Sequence, residues 1–539
     1  MLNGRQIVGL KSGLLALSLA FTLVFVFVGF GNHMDAFYWM DLIARRDFQL
    51  MACGTIALGS VWTQVFGLSI VSLRCLAWLC CATAIALPYV CLLDSRQRRD
   101  NLHWLALAYL LMGYGTYQEY SPGSLSMLAL TATAVVWMKY RNNRRWVWLL
   151  PVVMSIAIAA RFPNVLLLIA VPLLIVLDAW AQHKSWQRVG TDLLILLAGT
   201  GLLTCGIYAM LTDLFSGGSM AQSVGAYADD SHSFGTMITT VWDKAIYPFR
   251  KMVVLTIAGV LLWGISFLRS RAWRIAADCL VALAMTGYIV AKCPIDEWYN
   301  NPLNYLLAAL VIVPTLFLSI RALIQRDYAT ALAFVSLIFI GAIEPMGSDT
   351  GWMKLFPMYI VFVPYVFTHF TFCRSQQPFV LVPIVMYALT VFVCNPIGVD
   401  PLYQCKVQRE EPVLKRIYMS EQRSNYIDRL LSDYAAFSEQ GEVFVMGDGL
   451  HLMHALTGCA KHYNQFFALR DKPEFVAQQM AYIAVHQPVV MFVYTPEFIY
   501  PTKGHGNSLM EQQLLDNGYS RIARTEDTYY VYVPTKTQE

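Results

Sequence analysis

"GLLALSLAFTLVFVFVGFGNHMDAFYWMDLIARRDFQL", residues 13–50, decides the fold. Its first part, extended to roughly residues 12–30, is an unbroken apolar run long enough to cross a hydrocarbon core. No A-x-A-like cleavage site follows that run, so it reads as a retained first span rather than a signal peptide. The second part then leaves the membrane with Asp35, Phe37, Tyr38, Trp39, Asp41, Arg45 and Arg46 at helical spacing. A plain loop needs only to be polar. Acids, rings and cations together beside a bilayer mark this stretch as a place for chemistry.

The rest of the chain has the same character. Of 539 residues, 57% are hydrophobic and 14% charged, with mean hydropathy +0.49. Soluble proteins carry about a quarter charged residues. The charges here are bunched between apolar stretches, which define about thirteen spans from roughly 12–30 to roughly 378–394. The region 51–72 is interrupted by Gly, Ser, Thr and Gln and reads as helices lying at the interface. A net charge of +4 is too small to suggest nucleic acid as a partner, and no block of basic residues serves as a docking arm. The fold class expected is an α-helical polytopic membrane protein with interfacial helices in the first outer loop.

Loop charges fix an orientation. "DSRQRRD" (94–100), "KYRNNRR" (139–145), "QHKSWQR" (182–188), "RSRAWR" (269–274), "RALIQRD" (321–327) and the N-terminus fall on one side, the cytoplasm by the positive-inside rule. The opening loop, "YQEYSP" (117–122), "RFPN" (161–164), the loop 213–251, "KCPIDEWYNNP" (292–302), "EPMGSDTGWMK" (344–354) and everything after residue 395 fall on the other. Two domains follow: a transmembrane domain, 1–395, and an extracytoplasmic α/β domain, 396–539. In the latter, "EVFVMGD", "PVVMFVY" and "TYYVYVP" read as strands and "NSLMEQQLLDNGY" as a helix. Cys405 and Cys459 lie in this polar region and are the pair open to oxidation.

On the extracytoplasmic side, Asp35 is placed to accept a proton from an acceptor, the structural alternative being that it caps a helix. Asp41 and Arg45, four residues apart, pair as helix surface. Glu119 is a second acid at a membrane boundary. Arg161 interrupts near-continuous apolar sequence, and Lys354 opens a late span. Arginine would hold a phosphate bidentately and lysine as a point charge; snorkelling to headgroups is the structural alternative for both. His451, His454 and His462 lack a matching acid for a metal site, and "VMGDGL" lacks the glycine spacing of a nucleotide fingerprint.

In order of features the chain resembles the membrane-embedded GT-C glycosyltransferases, in particular the protein mannosyltransferase and lipid-A aminoarabinose transferase-like group. The residues that carry the resemblance are "MDAFYWMDLIARRDF", with Asp35 and Tyr38 matching and Ala36 in place of a usual second acid; "LGSVWTQVFGLSIVSLRCLAWLCC"; "EYSPGSLSMLALTATAVVW"; "AARFPNVLLLIAVPLLI"; and "KLFPMYIVFVPYVF" before a strand-rich end. The resemblance implies a transferase for envelope glycans in a bacterial inner membrane, moving a sugar from a polyprenyl-phosphate carrier, with inversion, to a lipid, glycan or protein acceptor. It makes Asp35 the general base and Glu119 an acid that orients the acceptor or helps hold a metal. It makes Tyr38, Arg45, Arg46, Arg161 and Lys354 substrate-binding residues. With Ala36 replacing an acid, no cofactor is fixed and a divalent metal is left open. A flippase of lipid-linked sugars, or a polysaccharide polymerase or ligase using the same carrier, are the alternatives. Ionisable residues gathered at one face rather than the midplane favour an enzyme over a transporter.

Overall fold

A computed structural model of the chain describes residues 4–29, 33–48, 51–112, 119–212, 253, 256–262, 264–265, 267–291, 302–346, 355–370, 381–383, 385–386, 402–447, 449–462, 473–493, 508–522 and 529–535. The N-terminal helices are α1 (Gly4–Phe27), α2 (His33–Arg45), α3 (Cys53–Phe66), α4 (Ile70–Leu92), α5 (Ser95–Asp100), α6 (Leu102–Met112), α7 (Pro122–Asn142), α8 (Leu150–Ala160), α9 (Leu167–Ala181) and α10 (Trp186–Leu211). After them come α11 (Arg271–Ala291), α12 (Pro302–Ile324), α13 (Tyr328–Gly341), α14 (Leu355–Ile360) and α15 (Val363–His369). The C-terminal part contains β1 (Val407–Gln408), β2 (Tyr418–Met419), α16 (Glu421–Ser438), β3 (Val443–Met446), α17 (Leu450–Thr457), α18 (Pro473–His486), β4 (Val489–Val493), α19 (Ser508–Asp516), β5 (Tyr519–Ile522) and β6 (Tyr529–Pro534).

These elements form two compact units. One holds Met1–Val26, Arg46–Phe66 and Ser72–Pro396; the other holds Phe27–Arg45, Gly67–Val71 and Ile397–Glu539. The first is a helical membrane unit. Among the described residues, four helices are long and apolar enough to cross a bilayer: Gly9–Phe27, Ile70–Leu92, Phe162–Ala181 and Trp186–Leu211. Shorter apolar helices cover Leu102–Met112, Leu310–Ile324 and Tyr328–Gly341. Along α10, Leu194, Leu202 and Met210 are more than two-thirds exposed, the surface a lipid-facing helix presents. Of the expected spans, 378–394 falls largely outside the described residues.

Proline and small residues set the helix ends that matter. Pro122 lies in the first turn of α7, where its missing N–H is no loss. From there the 21 residues of α7 run about 31 Å, one hydrocarbon thickness. Pro163 ends α8 at Arg161 and turns the chain through a 3-10 segment, Phe162–Leu166, into α9. Gly54 allows α3 to touch α8: a Cβ there would meet the Ala159 carbonyl carbon at 2.9 Å. Around that crossing Thr55 Oγ1 donates to Ala160 O at 3.0 Å, and Phe162 N donates to Met51 O at 3.0 Å.

The loops sort into two sets. At one end of α7, Tyr120 donates to Thr55 O, and residues 161–164 and 344 meet the first turns of the helix. At the other end, Arg141 pairs with Asp178 at 2.7 Å and donates to Ala329 O, while Arg144 pairs with Asp192 at 2.8 Å. Of the loops expected on one face, residues 120, 161–164 and 344 thus meet at one end of α7, and 139–145 gathers with 178–192 and 327–329 at the other.

The second unit is α/β. Its four-stranded sheet runs β3-β4-β6-β5, with β3 parallel to β4 and the other pairs antiparallel. Near-continuous apolar runs, Val443–Met446 and Val489–Val493, supply the parallel pair, as burial of both faces requires. Phe444, Met446, Phe492, Ile483, Met510 and Leu514 meet in its core. All three strands and the helix read from the sequence are present, joined by α16, α17, α18 and β5. The segment after α1 belongs here too: Val28 bridges Tyr418, and Gly29 N donates to Tyr418 O at 2.8 Å.

Candidate active site

Within the membrane unit, a buried polar group forms where α7, the α8–α9 turn and the end of α13 come together. Arg161 is 8% exposed and Glu344 only 4%. The guanidinium donates to the Glu344 backbone carbonyl, and its Nη1 stands 3.9 Å from Glu344 Oε1. Ser126 donates to Glu344 Oε2, and Asn164 Nδ2 donates to Ser126 Oγ and to Ala157 O, each at 2.8 Å. Among the described residues the fully buried Asn164 has no hydrogen-bond partner for its Oδ1. Glu119 lies half-buried just before α7, and its backbone carbonyl accepts from Ser124 Oγ at 3.1 Å. Thus Arg161 and the Glu119 loop adjoin the same helix start.

Glu344, Ser126 and Asn164 escaped the sequence reading. Asn164 sits in the quoted "RFPN", and Glu344 opens "EPMGSDTGWMK", directly after an apolar run. An acid at that depth was the available signal. Ser126 carried none, because a serine inside an apolar helix is common. Lys354 lies outside the described residues.

The second unit holds another charged group. On α2, Asp41 is 7% exposed and accepts from Arg45 Nη2 at 2.9 Å and from Lys461 Nζ. His451 Nδ1 stands 3.3 Å from Asp41 Oδ2, out of good donor alignment. The expected Asp41–Arg45 pair is there, but Asp41 is not helix surface. Helix α17 covers it, and Lys461, 420 residues further along the chain, converges on it with Arg45. Burial alone would raise this carboxyl; contacts from His451 and Lys461 and the charges of Arg45 and Lys461 outweigh burial and hold it far below the usual range. Burial pushes His451 below its ordinary value, and the Lys461 and Arg45 charges add to this against the pull of Asp41.

Glycines bring α17 to this position. Gly447 has φ +90°, and a Cβ there would meet Val493 O at 2.5 Å, while Gly449 N donates to that same oxygen at 2.9 Å. Gly447 and Gly449 thus lie close against the end of β4, just before the helix that bears His451. Tyr38 is buried at 2%, edge-on to Trp39 and to His451 with centroids 5.2 and 5.1 Å apart. Arg46 is exposed at φ 55°, where α2 stops. Asp35 stands in α2, about 120° around the helix from Asp41 at 3.6 residues per turn, and its side chain is not among those described. Cys405 and Cys459 are buried as separate thiols, not joined to one another. Among the described residues no group of three or more His, Cys, Asp or Glu could hold a metal.

The fold and these sites define a polytopic membrane protein with an α/β unit at its C-terminal end. Compared with solved structures, the chain is similar to ArnT from Cupriavidus metallidurans. In the apo state that protein is 11% identical, with 97% of each chain covered and a TM-score of 0.41. Bound to undecaprenyl phosphate it is 12% identical, with 98% of each chain covered and a TM-score of 0.41. The chain is also similar to the AglB oligosaccharyltransferase of Archaeoglobus fulgidus in complex with an inhibitory peptide and a dolichol-phosphate: 10% identity, 98% of this chain and 74% of that one, TM-score 0.45. No family model matches the chain, and no curated protein does.

Proposed function

We propose that this protein is a GT-C type glycosyltransferase that takes a sugar from a polyprenyl-phosphate carrier and transfers it, with inversion, to an acceptor on the extracytoplasmic face of a bacterial inner membrane. The observation that carries this reading is Arg161. A guanidinium held nearly dry at one end of an apolar bundle, with the Glu344 carboxylate standing 3.9 Å off, is set to take a second anion, and a lipid-linked phosphate is an anion that a membrane brings there. In this reading Arg161 holds the phosphate as the sugar leaves, with Lys354 as a second cation. Asp35 removes the proton of the acceptor hydroxyl or amine, and Glu119 orients the acceptor. Asp41 is committed to Lys461 and Arg45, so it fixes α2 rather than reacting. Tyr38 supports that helix from the same side, and Arg45 and Arg46 close its C-terminal end. No step is assigned to a metal.

The experiment is Asp35→Asn, assayed for sugar release from a polyprenyl-phosphate-sugar donor and for carrier binding in detergent. Loss of a general base lowers turnover by about 10²–10⁴-fold while the carrier still binds. Turnover within a few-fold of wild type sinks the assignment of Asp35. A variant that still moves lipid-linked sugar across vesicles at the wild-type rate favours the flippase.

A further inference from the structure

We propose that Glu344 is an exchangeable counter-ion for Arg161, which an anionic headgroup displaces on binding and which helps expel the spent polyprenyl phosphate; this rests on Arg161 being the phosphate holder. The geometry is unusual for a structural ion pair. A buried pair recovers its desolvation cost through direct, bidentate hydrogen bonds. Here the Glu344 carboxylate stands 3.9 Å from the guanidinium and engages Ser126 instead. The arginine's direct bond goes to the Glu344 backbone carbonyl.

Asn164 and Ser126 keep the carboxylate at that distance. The Asn164 amide is fixed by Ala157 O and donates to Ser126, whose hydroxyl proton is thereby turned toward Glu344. At this range the carboxylate balances the charge of Arg161 without bridging its fork, and the fork is the surface that recognises a phosphate. An arriving phosphate thus meets an arginine already in place, with a competing anion beside it. After transfer, the same anion opposes retention of the free carrier phosphate. Glu344 is in this sense a positioning residue that sets carrier release.

The test measures binding of undecaprenyl phosphate, with the uncharged polyprenol of the same length as control, to detergent-purified wild type, Glu344→Gln, Glu344→Asp and Ser126→Ala. Wild type binds the phosphate in preference to the alcohol. Glu344→Gln, with the competing charge removed, binds the phosphate roughly tenfold tighter and the alcohol unchanged. Glu344→Asp, which keeps the charge, stays near wild type. Ser126→Ala frees the carboxylate to close on Arg161, so phosphate affinity falls several-fold; this variant decides the matter if Glu344→Gln does not fold. A folded Glu344→Gln with unchanged or weaker phosphate binding overturns the proposal, as does unchanged or tighter binding in Ser126→Ala. Wild type that does not distinguish phosphate from alcohol refutes the carrier reading itself, and the counter-ion role with it.

Discussion

Asp41→Asn tests whether charge fastens α2 to the α17 region within the second unit. The wild-type carboxylate is 6% exposed and faces Lys461, itself 8% exposed. Asparagine keeps the shape and removes the charge, which leaves a nearly buried ammonium without its anion. Breaking a buried pair on one side costs about 3–5 kcal/mol, a large share of the roughly 5–15 kcal/mol that holds a domain together. Arg45 softens the loss little, because its side chain is 34% exposed and reaches solvent. The assay is urea-gradient pulse proteolysis of the detergent-purified protein, with cleavage sites mapped by mass spectrometry. New cuts within residues 33–45 and 449–462 should appear at lower urea. Adding Lys461→Met removes the stranded cation, so the double variant should recover at least about 2 kcal/mol relative to the sum of the single ones. Asp41→Asn within about 0.5 kcal/mol of wild type, or strict additivity, would refute the reasoning.

The pH dependence of the same cluster follows by sign. Asp41 titrates lower in the folded protein, so its contribution is complete above the unfolded value of 3.8 and is lost as pH falls below it. His451 also titrates lower when folded, so the unfolded chain takes up the extra proton below 6.5 and stability falls there. His451→Gln should flatten the stability profile between about pH 5 and 7, measured by the same proteolysis; an unchanged slope means another group titrates. Gly54→Val should lower the melting temperature in detergent and the yield of folded protein, because its Cβ alone would approach Ala159 at 2.9 Å. Overpacking of this kind costs about 1–3 kcal/mol, and a wild-type melting temperature would show that α3 and α8 separate freely.

Much of the architecture was legible before any coordinates. Hydropathy gives spans at roughly 122–138, 164–180, 190–212 and 329–343, where α7, α9, α10 and α13 lie, because a bilayer demands internally satisfied backbone over a fixed length. The strands Val443–Met446, Val489–Val493 and Tyr529–Pro534 were legible as apolar or aromatic runs bounded by polar turns. Helices α16 and α18 were not, although Ser420 caps α16: its apolar positions are interspersed with charge, and those of α18 with alanine and glutamine. Basic loops sort by counting alone, and among the described residues 139–145 lies with 178–192 and 327–329 at one end of α7.

Partnership was beyond the sequence. Nothing near Asp41 in the chain points to Lys461, 420 residues away, so its nearest cation, Arg45, was the visible partner and its burial was not visible at all. Glu344 and Ser126 are 218 residues apart, and neither is distinctive until the folded helices bring them together. The sequence by itself determined what one dimension encodes: the spans, their alternation, the α/β end and the residues able to carry charge at a membrane boundary. Only the tertiary structure decided which of those charges are spent on one another and which are held apart. Burial and pairing depend on distances between remote segments, and those distances exist only once the apolar surfaces have packed.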